Sequence, residues 1–399
     1  MKTEVFLNLE GRRYFVGVLS SDQNDTVFQY ADDFLNTRLE ISPISVALQR
    51  RTWVFNRGSF GGLPGFASDS LPDGWGNLLL HRQLVRKGER LSEIDPLRRL
   101  CWVGCQGMGA LEYQPEEKFQ EEFCSPDIRL DTLAENADAI LADRESGVAL
   151  DALASLNGSS GGARPKIVCL VSADRRTLKP GNVANNGAEP WLIKFRNSTD
   201  PADTGALEYA VSLLAKSAGI DMTETHLFES SKGAGWFGIR RFDRTSSGKM
   251  HMATAAGLLH CDFRQPCLDY QTLMALTQRL AGAGDLEQML KRAYFNFVID
   301  NRDDHAKNFS FLMDGKGRWR LSPAYDLVPN IGGSEHMTAL SGVGKSPARS
   351  LFVRLGEDFG LSHRKAQAAL AAVDESLSQW RQLAKNCGVK SPPVFAPLK

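Results

Sequence analysis

The sequence has 399 residues, 42% of them hydrophobic and 24% charged, as expected for a soluble globular protein with more than one domain. Its 47 basic and 47 acidic residues cancel, which argues against direct, non-specific nucleic-acid binding as the main function because no basic excess drives counterion release. The seven cysteines have neither a disulfide framework nor zinc-site spacing, and no signal peptide or membrane-length apolar run is visible, so we expect a cytoplasmic protein.

The first predicted elements are two strands within residues 1–20, joined by a turn at Glu10 and Gly11. A Gly/Pro-rich segment follows at 58–76, where the density of turn residues indicates a specialised backbone. A helix is predicted from about Gly76 to Lys87. We assign residues 1–115 to an N-terminal domain and 116–150 to an acidic linker and a helix, because 114–128 (QPEEKFQEEFCSPDI) is polar and acidic.

Residues 151–250 are predicted to form a second part that is rich in strands. IVCLV (167–171) and WLIKF (191–195) have strand-like composition, a helix is predicted at about 203–218, and 233–244 reads as a turn followed by a strand. The stretch NGSSGGARPK (157–166) is neither a Walker A motif nor GxGxxG. It can present backbone N–H groups to a phosphate, although its small residues alone would also describe a flexible linker.

Residues 251–390 are predicted to be mostly helical, and 391–399 to be a loose tail. Asp285 is expected to cap a helix with one apolar face formed by Leu286, Met289, Leu290, Ala293 and Phe297. A last helix is expected from about Ser362 to Cys387, ending at Gly388.

The stretch NRDDHAKNFSF (301–311) contains the main candidate catalytic and metal-binding residues. Asp303 precedes Asn308 by five positions, a β-hairpin is predicted over 309–322, and Asp326 follows that hairpin. This order is typical of a kinase catalytic centre, where one carboxylate orients the substrate hydroxyl and accepts its proton while an amide and a second carboxylate hold Mg²⁺. The spacing of Asp303 and Asn308 alone would also describe a surface turn.

The positions of four further residues also indicate their roles. Lys194 lies on a predicted apolar strand and is expected to contact ATP phosphates, with Glu208 on the following helix as a possible ion-pair partner. Asp304 is off the catalytic spacing and is expected to be solvated. His305 is expected to be a structural hydrogen-bonding residue.

Six stretches together resemble the HipA family of serine/threonine kinase toxins from bacterial toxin–antitoxin systems. They occur in family order over nearly the whole chain: SDSLPDGWG (68–76), SSGGARPK (159–166), WLIKF (191–195), RRFDR (240–244), DDHAKNFSF (303–311) and LSPAYDL (321–327). The sequence departs from the family at Arg240, where an acidic residue is frequent.

The resemblance implies an α+β fold with a protein-kinase-like bilobal core, a small N-terminal α/β subdomain and an all-α C-terminal lobe. It assigns Asp303 as the catalytic base, Asn308 and Asp326 as Mg²⁺ ligands, and Lys194 as the ATP-phosphate lysine. Further ATP-binding positions are Ser160, Gly161, Gly162, Ala163, Arg164, Lys166 and Phe242. Ser159, or its neighbour Ser160, matches the autophosphorylated serine, and a phosphate there would repel the phosphates of ATP.

The resemblance also implies partners. These are a helix-turn-helix antitoxin similar to HipB, operator DNA bound mainly through that antitoxin, and an aminoacyl-tRNA synthetase as substrate, notably the glutamate enzyme. Two alternatives remain open from the residues: a small-molecule phosphotransferase, and a non-catalytic scaffold for an antitoxin–operator complex.

Overall fold

The computed structural model describes residues 1–22, 25–56, 58–117, 119, 128–144, 146–158, 161–185 and 187–399. Within these ranges, no helix combines the length and the apolar character required to cross a bilayer. The buried hydrophobic side chains form three clusters, which correspond to an N-terminal sheet, a second sheet with its covering helices, and a C-terminal helical region.

The N-terminal region is built on a five-stranded antiparallel sheet in the order β4-β3-β2-β1-β5. Its elements are β1 (Lys2–Leu9), β2 (Arg12–Ser21), β3 (Asp25–Tyr30), α1 (Asp32–Leu35), β4 (Thr52–Asn56), α2 (Gly65–Ser68), α3 (Gly74–Arg86), α4 (Pro96–Val103) and β5 (Leu111–Gln114). The predicted turn at Glu10 and Gly11 is confirmed, and both residues have positive φ. The predicted α/β character is wrong for this region, because its strands pair antiparallel rather than through parallel crossovers.

The second region holds another five-stranded antiparallel sheet, in the order β7-β6-β8-β10-β9. Its elements are α5 (Leu130–Leu141), α6 (Gly147–Asn157), β6 (Lys166–Val171), β7 (Leu178–Pro180), β8 (Glu189–Lys194), α7 (Thr204–Ser217), β9 (Thr225–Phe228), β10 (Trp236–Arg240), β11 (Arg244–Thr245) and β12 (Gly248–Lys249). The predicted strands and the predicted helix at 203–218 are confirmed. Positions 118 and 120–127 of the predicted acidic linker lie outside the described residues.

The third region is mostly helical but contains a three-stranded sheet, β13-β15-β16. Its elements are β13 (His251–Thr254), α8 (Ala255–Leu259), β14 (Leu268–Asp269), α9 (Tyr270–Leu280), α10 (Leu286–Val298), β15 (Ser310–Met313), β16 (Trp319–Leu321), β17 (Thr338–Ala339), α11 (Arg349–Asp358), α12 (His363–Ser376) and α13 (Trp380–Asn386). The predicted hairpin is confirmed as β15 and β16. The expectation of an all-α region is wrong, since β13 pairs with β15 and completes a sheet beside that hairpin.

Two local expectations are also wrong. Asp285 occupies the N-cap position of α10, but its side chain accepts a hydrogen bond from the backbone N–H of Leu321 in β16 (2.9 Å) instead of capping the helix. The tail at 391–399 is packed rather than loose: the Trp380 indole donates to the carbonyl of Pro393 (2.7 Å) and its ring stacks on Phe395. A sequence ending in prolines and small residues gives no sign of these long-range contacts.

Candidate active site

Lys194 joins two parts of the fold at the end of β8. Its Nζ lies 2.6 Å from Glu208 Oε1 on α7 and 2.6 Å from Asp326 Oδ1, which follows the hairpin. The predicted Lys194–Glu208 ion pair is therefore present, and Glu208 is almost fully buried. Burial alone lowers the pKa of Lys194, but the charges of Asp326 and Glu208 outweigh it and raise that pKa above its ordinary value.

Asp326 is held as a carboxylate. Burial acts to raise its pKa, but the charges of Lys194 and Lys166 outweigh that effect and hold the pKa well below its usual range. Its backbone has a φ of +56°, in the left-handed region that a non-glycine residue rarely adopts. Since Oδ1 is occupied by Lys194, Oδ2 is the oxygen that can hold a cation.

Asp303 and Asn308 lie on the loop between α10 and β15. The Asn308 amide donates from Nδ2 to the backbone carbonyl of Asp303 (2.8 Å), so its Oδ1 is the atom that can serve as a ligand. Asp303 is exposed at the surface of the site. Partial withdrawal from water raises the pKa of its carboxyl, His305 acts in the opposite direction, and the like charges of Asp326 and Asp304 raise it further. The structure thus brings Asp303 into electrostatic reach of Asp326.

Two neighbours of Asp303 differ from expectation. Asp304 is fully buried, not solvated, and accepts hydrogen bonds from Tyr270, His336 and Thr338. Its burial is possible because donors from α9 and from the segment 336–338 satisfy the carboxylate. His305 Nδ1 is buried without a hydrogen-bond partner among the described residues, so the structural hydrogen bond expected of it is not formed at that nitrogen.

The glycine-rich loop leads into β6 and brings a second lysine to the site. Lys166 lies directly opposite Lys194 across the β6–β8 pair, so the two side chains share one face of the sheet. Lys166 is buried, and its Nζ donates to the carbonyl of Gly161. Burial, and then the charge of Lys194, lower the pKa of Lys166 to about 8.

The remaining predicted loop and hinge positions are distributed around this pair. Arg164 forms an ion pair with Asp200 (Nε–Oδ2, 2.9 Å), and Phe242 packs against Tyr325, the residue before Asp326, with ring centroids 5.6 Å apart. Arg240 pairs with Glu189 (2.8 Å). Ala163 continues the loop between Gly162 and Arg164, whereas Ser159 and Ser160 lie outside the described residues.

Sequence reasoning missed one acid of this site, Asp73. It stands at the N-cap position of α3, yet its side chain makes no capping bond. Instead, Oδ1 accepts from the backbone N–H of Gly162, and Oδ2 lies 3.0 Å from Lys307 Nζ on the Asp303 loop. An Asp before Gly-Trp-Gly at the start of a helix has the local features of a helix cap, and no local pattern indicates these distant partners.

Gly74 permits the close approach of α3 to the glycine-rich loop. A Cβ atom at this position would lie 2.5 Å from the carbonyl oxygen of Gly162, and its φ is +30°. The backbone N–H of Trp75 donates to the same carbonyl at 3.0 Å. Both backbone polar groups of Gly162 are therefore bonded to the N-terminal region.

Two family models match this chain, and together they cover most of it. Residues 7–114 match the family model for the HipA N-terminal domain, and 158–380 match that for the HipA-like C-terminal domain. A Sinorhizobium fredii protein named "Putative kinase Y4mE" is 24% identical over 404 residues, covering 95% of this chain and 85% of that protein. A second protein from that organism, "Putative kinase Y4dM", is 26% identical over 154 residues, covering 35% of this chain and 37% of its own length.

A solved structure that covers 98% of this chain has a similar fold. It is a chain of the complex of HipA, HipB and operator DNA from the Shewanella oneidensis MR-1 toxin–antitoxin system. The TM-score is 0.67 at 16% identity, with 98% of this chain and 92% of that chain covered. At this identity the likeness concerns the fold.

Proposed function

This chain belongs to the HipA family, and from its site we propose that it is a Mg·ATP-dependent serine/threonine protein kinase that acts as the toxin of a toxin–antitoxin pair. The observation that carries the proposal is the Lys194–Glu208 ion pair at 2.6 Å, with Asp326 on the same ammonium. Protein kinases require a strand lysine paired with a helix glutamate, together with a metal-binding aspartate beside them. The proposal includes the bilobal kinase-like core, with the β6–β10 sheet in one lobe and the helical region in the other.

The donor set fits a metal that arrives with a nucleotide. Asn308 and Asp326 offer hard oxygen ligands, and Mg²⁺ in kinase sites is held by one or two such side chains plus phosphate oxygens and water. Among the described residues, no group of three or more His, Cys, Asp or Glu side chains is arranged to hold a metal without help. When bound, Mg²⁺ would offset the phosphate charge. Lys194 and Lys166 would contact the phosphates.

Asp303 is the residue we propose to act on the hydroxyl of the substrate. Its exposure allows a protein side chain to reach it, and its raised pKa makes it a better proton acceptor than an ordinary surface aspartate. We propose Ser159, or Ser160, as the autophosphorylated residue. The incoming substrate is proposed to be an aminoacyl-tRNA synthetase resembling glutamate-tRNA ligase, and a HipB-like antitoxin is proposed to carry operator DNA contact.

The proposal is tested by phosphate transfer and by growth. The purified chain is incubated with radiolabelled ATP and Mg²⁺, alone and with a glutamate-tRNA ligase, and growth is followed after induced expression with and without the antitoxin. We expect label on the chain and on the ligase, and growth arrest that the antitoxin relieves. Asp303→Ala should abolish both label and arrest, whereas Asp358→Ala, at an exposed acid on α11, should keep both.

Each arm has an outcome that contradicts part of the proposal. Full toxicity of Asp303→Ala would refute the kinase mechanism. Label on the chain but none on the ligase would refute the proposed substrate and leave the proposed kinase activity standing. Unchanged autophosphorylation in Ser159→Ala, together with its loss in Ser160→Ala, would move the acceptor by one position.

A further inference from the structure

A row of buried polar side chains lies beneath the Asp303 loop. Tyr270 OH donates to Asp304 Oδ2 (2.8 Å), and Asn296 Nδ2 donates to the same hydroxyl (3.0 Å). Asn301 Nδ2 donates to Asn296 Oδ1 (3.0 Å) and also to the backbone carbonyl of Asp326 (3.3 Å). These contacts form one continuous connection from Asp304, next to the proposed base, to Asp326, the proposed cation ligand. We call Tyr270, Asn296, Asn301 and Asp304 the buried polar network.

Because this network is buried, its side chains can move little without losing hydrogen bonds. Its four side chains are no more than 2% exposed. Buried polar groups are costly unless each finds a partner, so a displacement at one position leaves unsatisfied groups at the next. The members also belong to different elements, since Tyr270 starts α9, Asn296 is on α10, and Asn301 and Asp304 are on the loop. The network therefore fixes the loop against two core helices.

The two ends of the network hold the backbone at Asp304 and at Asp326. At one end, Asp304 receives the backbone N–H of Thr338 on Oδ1 (3.1 Å) and His336 Nδ1 on Oδ2 (3.1 Å), which holds the peptide that follows Asp303. At the other end, Asn301 holds the carbonyl of Asp326, whose positive φ is otherwise unfavourable. In that conformation the Asp326 side chain accepts from Lys194 (2.6 Å).

We propose that the buried polar network sets the position of Asp303 relative to Asp326, so that its four members are positioning residues for phosphate transfer. This rests on the proposed kinase function, because it assigns Asp326 to the cation. Groups that orient a metal ligand from outside the coordination sphere affect metal affinity and activity by about tenfold or more. An isolated structural role would affect stability alone.

The experiment compares Tyr270→Phe with Tyr294→Phe. Tyr294 is equally buried and also bonds an aspartate, Asp374, at 2.7 Å, but on the far side of α10 from the network. The readouts are melting temperature, Mn²⁺ affinity by EPR with a non-hydrolysable ATP analogue, and the kcat and KM of phosphate transfer. Each variant loses the hydrogen bond that its hydroxyl donates to an aspartate and one that it accepts, from Asn296 for Tyr270 and from the Leu398 N–H for Tyr294. The two variants should therefore lose similar stability.

Only Tyr270→Phe should weaken Mn²⁺ binding and lower kcat, each by about tenfold, with the KM for ATP changed less than about twofold. Equal Mn²⁺ affinity in the two variants overturns the inference. Should Tyr270→Phe not fold, Asn301→Ala tests the other end with the same expectation. If the wild type binds Mn²⁺ with the analogue but transfers no phosphate, the kinase function alone is refuted. The comparison of Mn²⁺ affinities then still tests whether the buried polar network positions the cation ligand. No Mn²⁺ binding by the wild type refutes both.

Discussion

The Asp73–Lys307 ion pair allows a quantitative test of how the N-terminal region holds the site. The two side chains are only 14% and 12% exposed, and the charged atoms are 3.0 Å apart. Asp73→Asn removes the charge but keeps an amide oxygen that can accept from the Gly162 N–H. Lys307→Met removes the ammonium and keeps an apolar side chain of similar length. A double-mutant cycle with these substitutions therefore isolates the charge pair.

The expected coupling follows from distance and burial. Two unit charges 3.0 Å apart attract by about 5 kcal/mol at an effective dielectric constant of about 20. Desolvation of both groups offsets much of this attraction, so we expect a coupling free energy between about 1 and 3 kcal/mol. The losses of unfolding free energy in the two single variants should add up to more than the loss in the double variant. Each single substitution leaves a buried polar partner behind, whereas the double substitution removes both charges.

The assay is urea denaturation of the wild type, both single variants and the double variant at low salt. The matched control is the same cycle on Asp32 and Arg50, an ion pair of similar length (2.9 Å) whose side chains are 67% and 71% exposed. Surface pairs of this kind contribute about 0.2–1 kcal/mol. If the Asp73–Lys307 coupling is no larger than that of the control, the N-terminal region is not held to the Asp303 loop by this charge pair.

Three other outcomes follow from the same region. Below about pH 8 Lys166 is protonated in both the folded and the unfolded protein, but above about pH 8 the folded protein loses this proton first. The free energy of unfolding should therefore rise with pH, by up to about 1.4 kcal/mol per pH unit. Lys166→Met should remove that rise in denaturation curves between about pH 7.5 and 9.5. Gly74→Ala should lower the free energy of unfolding by about 1–3 kcal/mol; an equal loss in Gly88→Ala, where a Cβ meets nothing within 4 Å, would show that the close approach is not the cause. Glu208→Gln should destabilise the protein by about 1–3 kcal/mol because buried Lys194 loses one of its two carboxylates, and an unchanged urea midpoint would contradict this.

The sequence predicted the parts of the site that depend on local order. The alternating apolar residues at 309–313 and 318–322 around a glycine-containing turn determined the hairpin, and a hairpin brings its open ends together. For the same reason, Asp326 is near the Asp303 loop. Lys194 and Glu208 likewise lie on a strand and on the helix that follows it, and this short connection limits how far apart they can be.

Contacts that join distant segments could not be predicted in this way. Asp304 was expected to be solvated because a charged residue on a loop usually is, and its burial depends on Tyr270, His336 and Thr338, which are more than 30 positions away. Asp73 has the local features of a helix cap, and its partners are 89 and 234 positions away. In both cases tertiary hydrogen bonds outweigh the local pattern.

Contacts between distant segments also determine which cationic side chain of the site could bind a phosphate without first losing a salt bridge, and Lys166 is the example. Lys194, Lys307 and Arg164 each lie within salt-bridge distance of a carboxylate, so a phosphate must share or displace that partner. Among the described residues, no carboxylate lies within salt-bridge distance of Lys166, whose ammonium donates to a backbone carbonyl. Burial and the charge of Lys194 lower its pKa, and no counter-ion within salt-bridge distance among the described residues offsets them. A bound phosphate would supply that counter-ion, so nucleotide binding above pH 8 should be accompanied by proton uptake at Lys166. Calorimetry in buffers of different ionisation enthalpy measures that uptake. A binding enthalpy that is independent of the buffer at pH 8.5 would assign the phosphate contact to the other cations.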